Sequence, residues 1–181
     1  MALASATKWL FGACVAEVRA GVLSADDVRH PHFRSGHTRF GGCLPGQTVD
    51  GCLVFPVANG AYSTTTDGRF FYDGGHMQKL ATLVGLGNMN NGARATELRT
   101  VLGNDVAISF SQPQLVGGAQ GTPDDHTRFL RKMLDGRLRM GALLGTQAVC
   151  TLARQAAAGS GDESADCGRL IRKAWVTGAA P

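Results

Sequence analysis

Ser5 and Lys8 stand three residues apart at the head of an uncharged run, Trp9 to Ala16, that reads as a buried helix. At that spacing two side chains share one helix face, so a serine hydroxyl and a lysine amine come within hydrogen-bond reach. A lysine kept neutral by burial takes the hydroxyl's proton, and the serine oxygen attacks a carbonyl carbon. A serine in the first helical turn also carries a backbone N–H without a helical partner, free to face a developing oxyanion. The same residues, Ser5-Ala6-Thr7-Lys8, fit a second reading, a capping serine followed by a solvated lysine.

Tyr72, in Tyr72-Asp73-Gly74-Gly75, precedes a helical segment. There its hydroxyl can be presented at a cleft and relay a proton to a leaving group. Its other reading is a tyrosine covering the edge of the core below Phe70 and Phe71. Among the histidines, His30, His32 and His37 share one loop without carboxylates at regular spacing, and no metal site is expected of them. The five cysteines contain no pair spaced two to four apart, which removes the zinc patterns. Cys43 and Cys52 bracket a loop with glycine and proline and could close it as a disulfide, which would imply an oxidising compartment.

The elements that must position these groups are mostly helical. At 181 residues and 44% hydrophobic content, the chain can build one core, and a single domain is expected. Net charge is +4, with the basic residues scattered except for Arg128, Arg131, Lys132, Arg137 and Arg139. No aromatic residues interleave with that cluster, so it reads as a solvated helix face and not a nucleic-acid surface. The run Trp9 to Ala16 has the length of a short signal-peptide core, and Phe11-Gly12-Ala13-Cys14 loosely resembles a lipoprotein cleavage box. Glu17 and Arg19 instead continue a helical pattern through residue 20. No stretch approaches the roughly 20 apolar residues that cross a bilayer, and a soluble chain is expected.

Further along, Ser24-Ala25-Asp26-Asp27 signals a short helix start, and residues 30 to 71 read as irregular with a short strand at Cys52 to Val57. Helices are expected over Gly75 to Leu86 and over 93 to 102, with extended chain at Val106 to Phe110. Thr122-Pro123-Asp124-Asp125 combines a capping hydroxyl, proline at the first helical position and a carboxylate that can answer the cap. Its helix runs to Leu134. Residues 140 to 149 read as helix, Gly159-Ser160-Gly161 as loop, and Cys167 to Trp175 as a last helix.

Taken in order, several segments resemble the serine beta-lactamase and penicillin-binding protein-like hydrolases. They are Ser5-Ala6-Thr7-Lys8-Trp9, Tyr72-Asp73-Gly74-Gly75-His76-Met77-Gln78, Gln112-Pro113-Gln114-Leu115-Val116-Gly117-Gly118-Ala119, Thr122-Pro123-Asp124-Asp125 and Arg128-Phe129-Leu130. The branch they resemble holds class C beta-lactamases, D-alanyl-D-alanine carboxypeptidases and related esterases. The likeness covers most of residues 1 to 151, and resumes where Leu152-Ala153-Arg154-Gln155 and Cys167 to Trp175 look like that family's closing strand and helix.

The resemblance implies an α+β, beta-lactamase-like fold in a single domain over 1–181, with a helical lobe at 1–151 and a closing strand and helix at 152–181. It implies Ser5 as the acylated nucleophile, Lys8 as the group that assists proton transfer and Tyr72 as the third member, with no cofactor and no metal. Substrates would be an ester, a beta-lactam or a peptide, and the location periplasmic or secreted. Gly74 stands where many members carry an asparagine that orients the substrate amide, which favours ester hydrolysis over beta-lactam turnover. The family's strands ahead of the serine helix and its third motif, a Lys-Thr-Gly or His-x-Gly on the neighbouring strand, have no counterpart here, since Thr151 runs into Leu152. A partner for Cys150 would belong to that lost stretch. The chain is therefore expected to be truncated and internally deleted, mainly helical with few short strands. It should expose apolar residues of Trp9 to Val18 and be open to self-association through them. Two alternatives are a non-catalytic relative that at most binds, and an unrelated small helical binding protein.

Overall fold

The computed structural model describes residues 1–54 and 56–147. A single 3-10 turn, Ala4–Ala6, leads into α1, Thr7–Val18. Then follow α2 (Ala25–Arg29), β1 (Ser35–His37), α3 (Val49–Val54), β2 (Tyr62–Asp67), α4 (Gly75–Leu83) and α5 (Asn91–Leu102). The described part closes with β3 (Ser109–Phe110), β4 (Ala119–Gln120), α6 (Pro123–Leu134) and α7 (Met140–Leu143).

The helix α1 is apolar on nearly every side, and a helix of that kind is stable only inside a core. It packs against α5 and α7, and Leu10, Phe11, Ala13, Cys14, Val15 and Ala16 are buried to within 1% of complete. The expected exposure of Trp9 to Val18 is thus corrected: Trp9 is partly buried, and Val18, at the last turn, is the residue of that run left exposed. Helices and loops cover the surface that a missing sheet was expected to uncover, and the reason for self-association through that surface goes with it. The thiol of Cys14, inside this core, is pushed up to about 12 by burial, with Glu97 and Glu17 adding to the effect.

Where caps are written in the sequence, helices start on them. Thr122 Oγ1 accepts from Asp125 N at 3.1 Å and Asp125 Oδ2 answers from Thr122 N at 3.0 Å, with Pro123 in the first turn of α6. Asp125 Oδ1 also accepts from Ala107 N at 3.0 Å, which ties α6 to the segment entering β3. Ser24 and Asp27 form the same reciprocal pair at α2. α5 starts two residues earlier than its pattern suggests, because the Asn90 side chain caps it through Ala93 N at 3.0 Å. Helix α4 stops at Leu83 instead of Leu86, and α7 is a single turn ending before Gly145, whose φ of 79° is a left-handed value.

Residues 30 to 71 hold more regular structure than their glycines and prolines suggest. β1 and β2 pair antiparallel, Ser35 opposite Asp67 and His37 opposite Tyr62, with an irregularity between. β2 was readable as the β-forming run Tyr62 to Thr66 between Gly60 and Gly68. The strand expected at Cys52 to Val57 is helical as far as Val54, in α3. The N-terminus of α3 docks on the loop after α4, where Val49 N donates to Met89 O and Asp50 N to Gly87 O. Cys52 is joined to Cys43 with their Cα atoms 5.0 Å apart, and buried Asn59 donates to Cys52 O at 2.6 Å and Gly42 O at 2.7 Å. These tertiary bonds override the apolar run.

A second small sheet carries the chain's beginning. β3 pairs with β4, and Ala2 bridges Gln120 on the other side, with Leu3 N donating to Ala119 O at 2.9 Å and Gly121 N to Met1 O at 3.1 Å. Ser5 therefore leaves a sheet edge and enters a helix within a few residues. In the basic cluster, Lys132 pairs with Asp105, Arg128 with Asp124, Arg137 with Asp135 and Arg139 with Glu17. The expected closing strand at Leu152 to Gln155, the Gly159 loop, the helix Cys167 to Trp175, and Cys150 lie outside the described residues.

Gly75 opens α4 at a point where a Cβ would stand 2.6 Å from both the His37 and the Arg39 carbonyl oxygens. Backbone cannot step aside as a side chain can. Gly75→Ala is expected to cost about 1–3 kcal/mol in urea denaturation, as for other overpacked sites.

Candidate functional site

The described structure brings Ser5, Lys8 and Tyr72 together. Ser5 Oγ lies 3.0 Å from Lys8 Nζ and 3.2 Å from Tyr72 Oη. The capping reading does not describe it: α1 has Ala6 as its N-cap, without any side-chain cap bond. Nor is the lysine solvated, since Lys8 is 4% exposed while Ser5 is half-buried and Tyr72 46% exposed. A hydroxyl reachable from solvent thus sits between an interior amine and a surface phenol.

Lys8 is held by a third contact, Nζ to the Val116 carbonyl at 2.8 Å, and lies 5.1 Å from the centre of the Tyr72 ring. No carboxylate is among its hydrogen-bond partners in the described residues. Burial pushes the amine below its ordinary value, against the hydrogen bond and charge of Tyr72. For Tyr72, burial acts upward, but bonds to Ser5 and Lys8 and the Lys8 charge outweigh it and hold the phenol below its ordinary value. Both shifts favour what the chemistry needs, an amine that loses its proton more easily and a phenol that gives one up.

Backbone geometry around the site is unusual. Ala4, directly before Ser5, has φ 45°, and Phe33, whose ring centre lies 4.6 Å from that of Tyr72, has φ 59°. Such conformations cost a non-glycine residue roughly 1–2 kcal/mol and collect at sites that need a particular orientation. Phe71 N donates to Phe33 O at 2.9 Å, so Phe33 fixes Tyr72 through both backbone and ring. On the α1 side, Thr7 Oγ1 accepts from Ala119 N at 3.2 Å, which locks the serine turn to β4.

His76, completely buried on α4, bonds the residue before Tyr72. Its Nε2 donates to Phe71 O at 2.9 Å, a carbonyl that can only accept, so Nδ1 is the acceptor of the Ser35 hydroxyl at 2.7 Å. Burial drives this ring down to about 4, against the bond to Phe71 and with His30 and His37 adding to it. His76 is a neutral strut. His30 and His37 stack 5.5 Å apart, and no group of three or more metal-ligating side chains occurs among the described residues.

The position where the resembling family carries an asparagine is filled differently. Gly74 lies under Phe40, whose ring would stand 2.7 Å from a Cβ at that point. A side-chain amide has no room there. Sequence reasoning missed His76, Phe33 and the Val116 carbonyl. Phe33 and a backbone carbonyl carry no motif, whereas His76 stood inside a quoted segment without a role.

No protein-family model, curated protein or solved structure matches this chain.

One consequence of the neutral His76 is measurable. Its value in the unfolded chain is the ordinary 6.5 and in the folded chain about 4, so the unfolded state binds the extra proton. Its contribution, about 3 kcal/mol at 1.36 kcal/mol per pH unit, is fully present above about pH 6.5 and is lost as pH falls toward 4. Urea denaturation at pH 7, 5.5 and 4.5 should show this fall, shallower in His76→Gln. Parallel curves for the two proteins would remove His76 as its source.

Proposed function

We propose that this chain is a serine hydrolase that cleaves an ester or amide through a covalent acyl-serine. The observation that carries the reading is the double contact of Ser5 Oγ, with the buried Lys8 amine and with the Tyr72 phenol, groups brought from separate parts of the chain. Two further features support it: the lowered position of Lys8 and the left-handed backbone of Ala4 at the serine turn.

In the proposed reaction neutral Lys8 takes the Ser5 proton as Oγ bonds to the substrate carbonyl carbon, and the carbonyl oxygen becomes an oxyanion. The Ser5 N–H, in the 3-10 turn ahead of α1, is the donor proposed for it. Collapse of this intermediate breaks the bond to the leaving group, which takes a proton from Tyr72, and the Tyr72 phenolate is reprotonated from Lys8. Water then adds to the acyl-serine by the same proton path in reverse, releasing the acid and restoring Ser5.

Ester is favoured over amide or beta-lactam, because Phe40 covers Gly74 where a substrate-orienting amide would stand. The Cys43–Cys52 disulfide supports a periplasmic or secreted location. No helix among the described residues is long and apolar enough to cross a membrane.

The decisive experiment is turnover of p-nitrophenyl acetate and of a chromogenic cephalosporin, with mass spectrometry of the intact protein after exposure to a fluorophosphonate. Expected are ester turnover, a single adduct on Ser5, and a loss of roughly a thousandfold or more in Ser5→Ala. Equal rates in the two proteins, or none with no adduct, would leave a binding protein as the better reading. The rate should also rise with pH to a midpoint below 10.5, the ordinary lysine value, since the base is the unprotonated amine. Lys8→Met should lose that limb together with most of the activity.

A further inference from the structure

The Lys8 amine is held partly by the Val116 carbonyl, and that carbonyl belongs to an irregular loop, residues 111–118, between β3 and β4. A loop of this kind has no helical or sheet ladder to hold its carbonyls in place. Two completely buried side chains from neighbouring helices grip it. Arg94 of α5 donates Nη2 to Gln112 O at 2.9 Å, its guanidinium 4.0 Å above the Phe110 ring. Gln78 of α4 holds the turn itself. Its Nε2 donates to Pro113 O at 2.8 Å and to Val49 O at 3.2 Å, and its Oε1 accepts from Leu115 N at 3.3 Å. The loop closes with Ser111 N donating to Gly118 O at 3.1 Å and Gly118 N to Gln114 O at 3.0 Å.

A completely buried amide such as that of Gln78 is costly unless its polar atoms are bonded. Every bond of Gln78 goes to main chain, two of the three to the residues just before Val116. We propose that Gln78 is a positioning residue for Lys8: by gripping both sides of the 113–115 turn it sets the Val116 carbonyl where it holds the lysine amine beside Ser5. One N–H of the amine is thereby spent on Val116, which leaves the nitrogen lone pair to face the Ser5 hydroxyl. The role of Lys8 as base rests on the function proposed above, whereas the grip on the loop does not.

The full chain has four lysines, so lysine labelled with carbon-13 at Cε gives a spectrum in which Lys8 is assigned by Lys8→Arg. Tyr72 is the titratable group facing the amine, and burial is the main influence on it. In Gln78→Met, which keeps the length and removes the amide, the loop slackens and the amine gains water. Its titration midpoint is then expected to move up by roughly one pH unit, with kcat per titrated site down about tenfold and KM within about twofold. Gln78→Glu in its neutral form keeps a donor and an acceptor, and should stay within about threefold of the parent until the new carboxyl ionises. A folded Gln78→Met with unchanged Lys8 midpoint and kcat would overturn the proposal. If circular dichroism shows that Gln78→Met does not fold, Gln78→Glu decides: a kcat that falls on ionisation supports positioning, and a flat one overturns it. A parent chain with no hydrolysis counts against the function proposed above, and the Lys8 midpoint still decides the role of Gln78.

Discussion

An amine buried at the head of an apolar helix is the constraint on which the rest of this structure depends. Lysine is almost never enclosed without partners, because its charged form loses more solvation than the interior returns. Lys8 sits in the same helix turn as Leu10 and Phe11, both fully buried, and its nitrogen meets the Ser5 hydroxyl, the Tyr72 phenol and the Val116 carbonyl, with no carboxylate among its described partners. A carboxylate would have stabilised the cation. The partners present tolerate the neutral form, and so the environment gives up stability for an amine that loses its proton more readily. The neighbouring left-handed residues, Ala4 and Phe33, follow the same economy on the backbone, holding strained conformations where orientation matters.

The site was legible to an uneven degree. Ser5 and Lys8 could be paired from spacing alone, because a helix fixes the geometry of residues three apart. Tyr72 needed a resemblance to be joined to them, since nothing local relates positions 67 residues apart. The Val116 carbonyl was beyond any such reading, because every residue has one. Gln78 and His76 lay in plain view, yet a polar residue inside a helix pattern does not announce whether it faces solvent or a backbone segment elsewhere.

The fold shows the same division. Helices α2 and α6 start on the caps written in the sequence, and α1, α4 and α5 differ from their patterns by a few residues at their ends. The segment between α2 and α4 was misjudged because its order comes from a disulfide, from Asn59 and from the docking of α3 on the 87–89 loop, all tertiary causes. The prediction of a bare α1 failed for a related reason. A resemblance supplies the layers its family uses, while the apolar face of α1 needs only some cover, which α5 and α7 provide.

The bond from Lys8 to Val116 spans 108 residues of chain, and Ala2 pairs with Gln120. During synthesis the serine and lysine emerge before the oxygen that seats the lysine, which is made 108 residues later. Until then the first helix carries a hydrophobic surface and an amine with no settled place, the kind of segment that chaperones hold and that aggregates when left alone. Contacts this distant in sequence close late and slowly. The arrangement at Ser5 is therefore set by contacts across a long span of chain, and a fragment that stops before Val116 lacks the carbonyl that seats the amine.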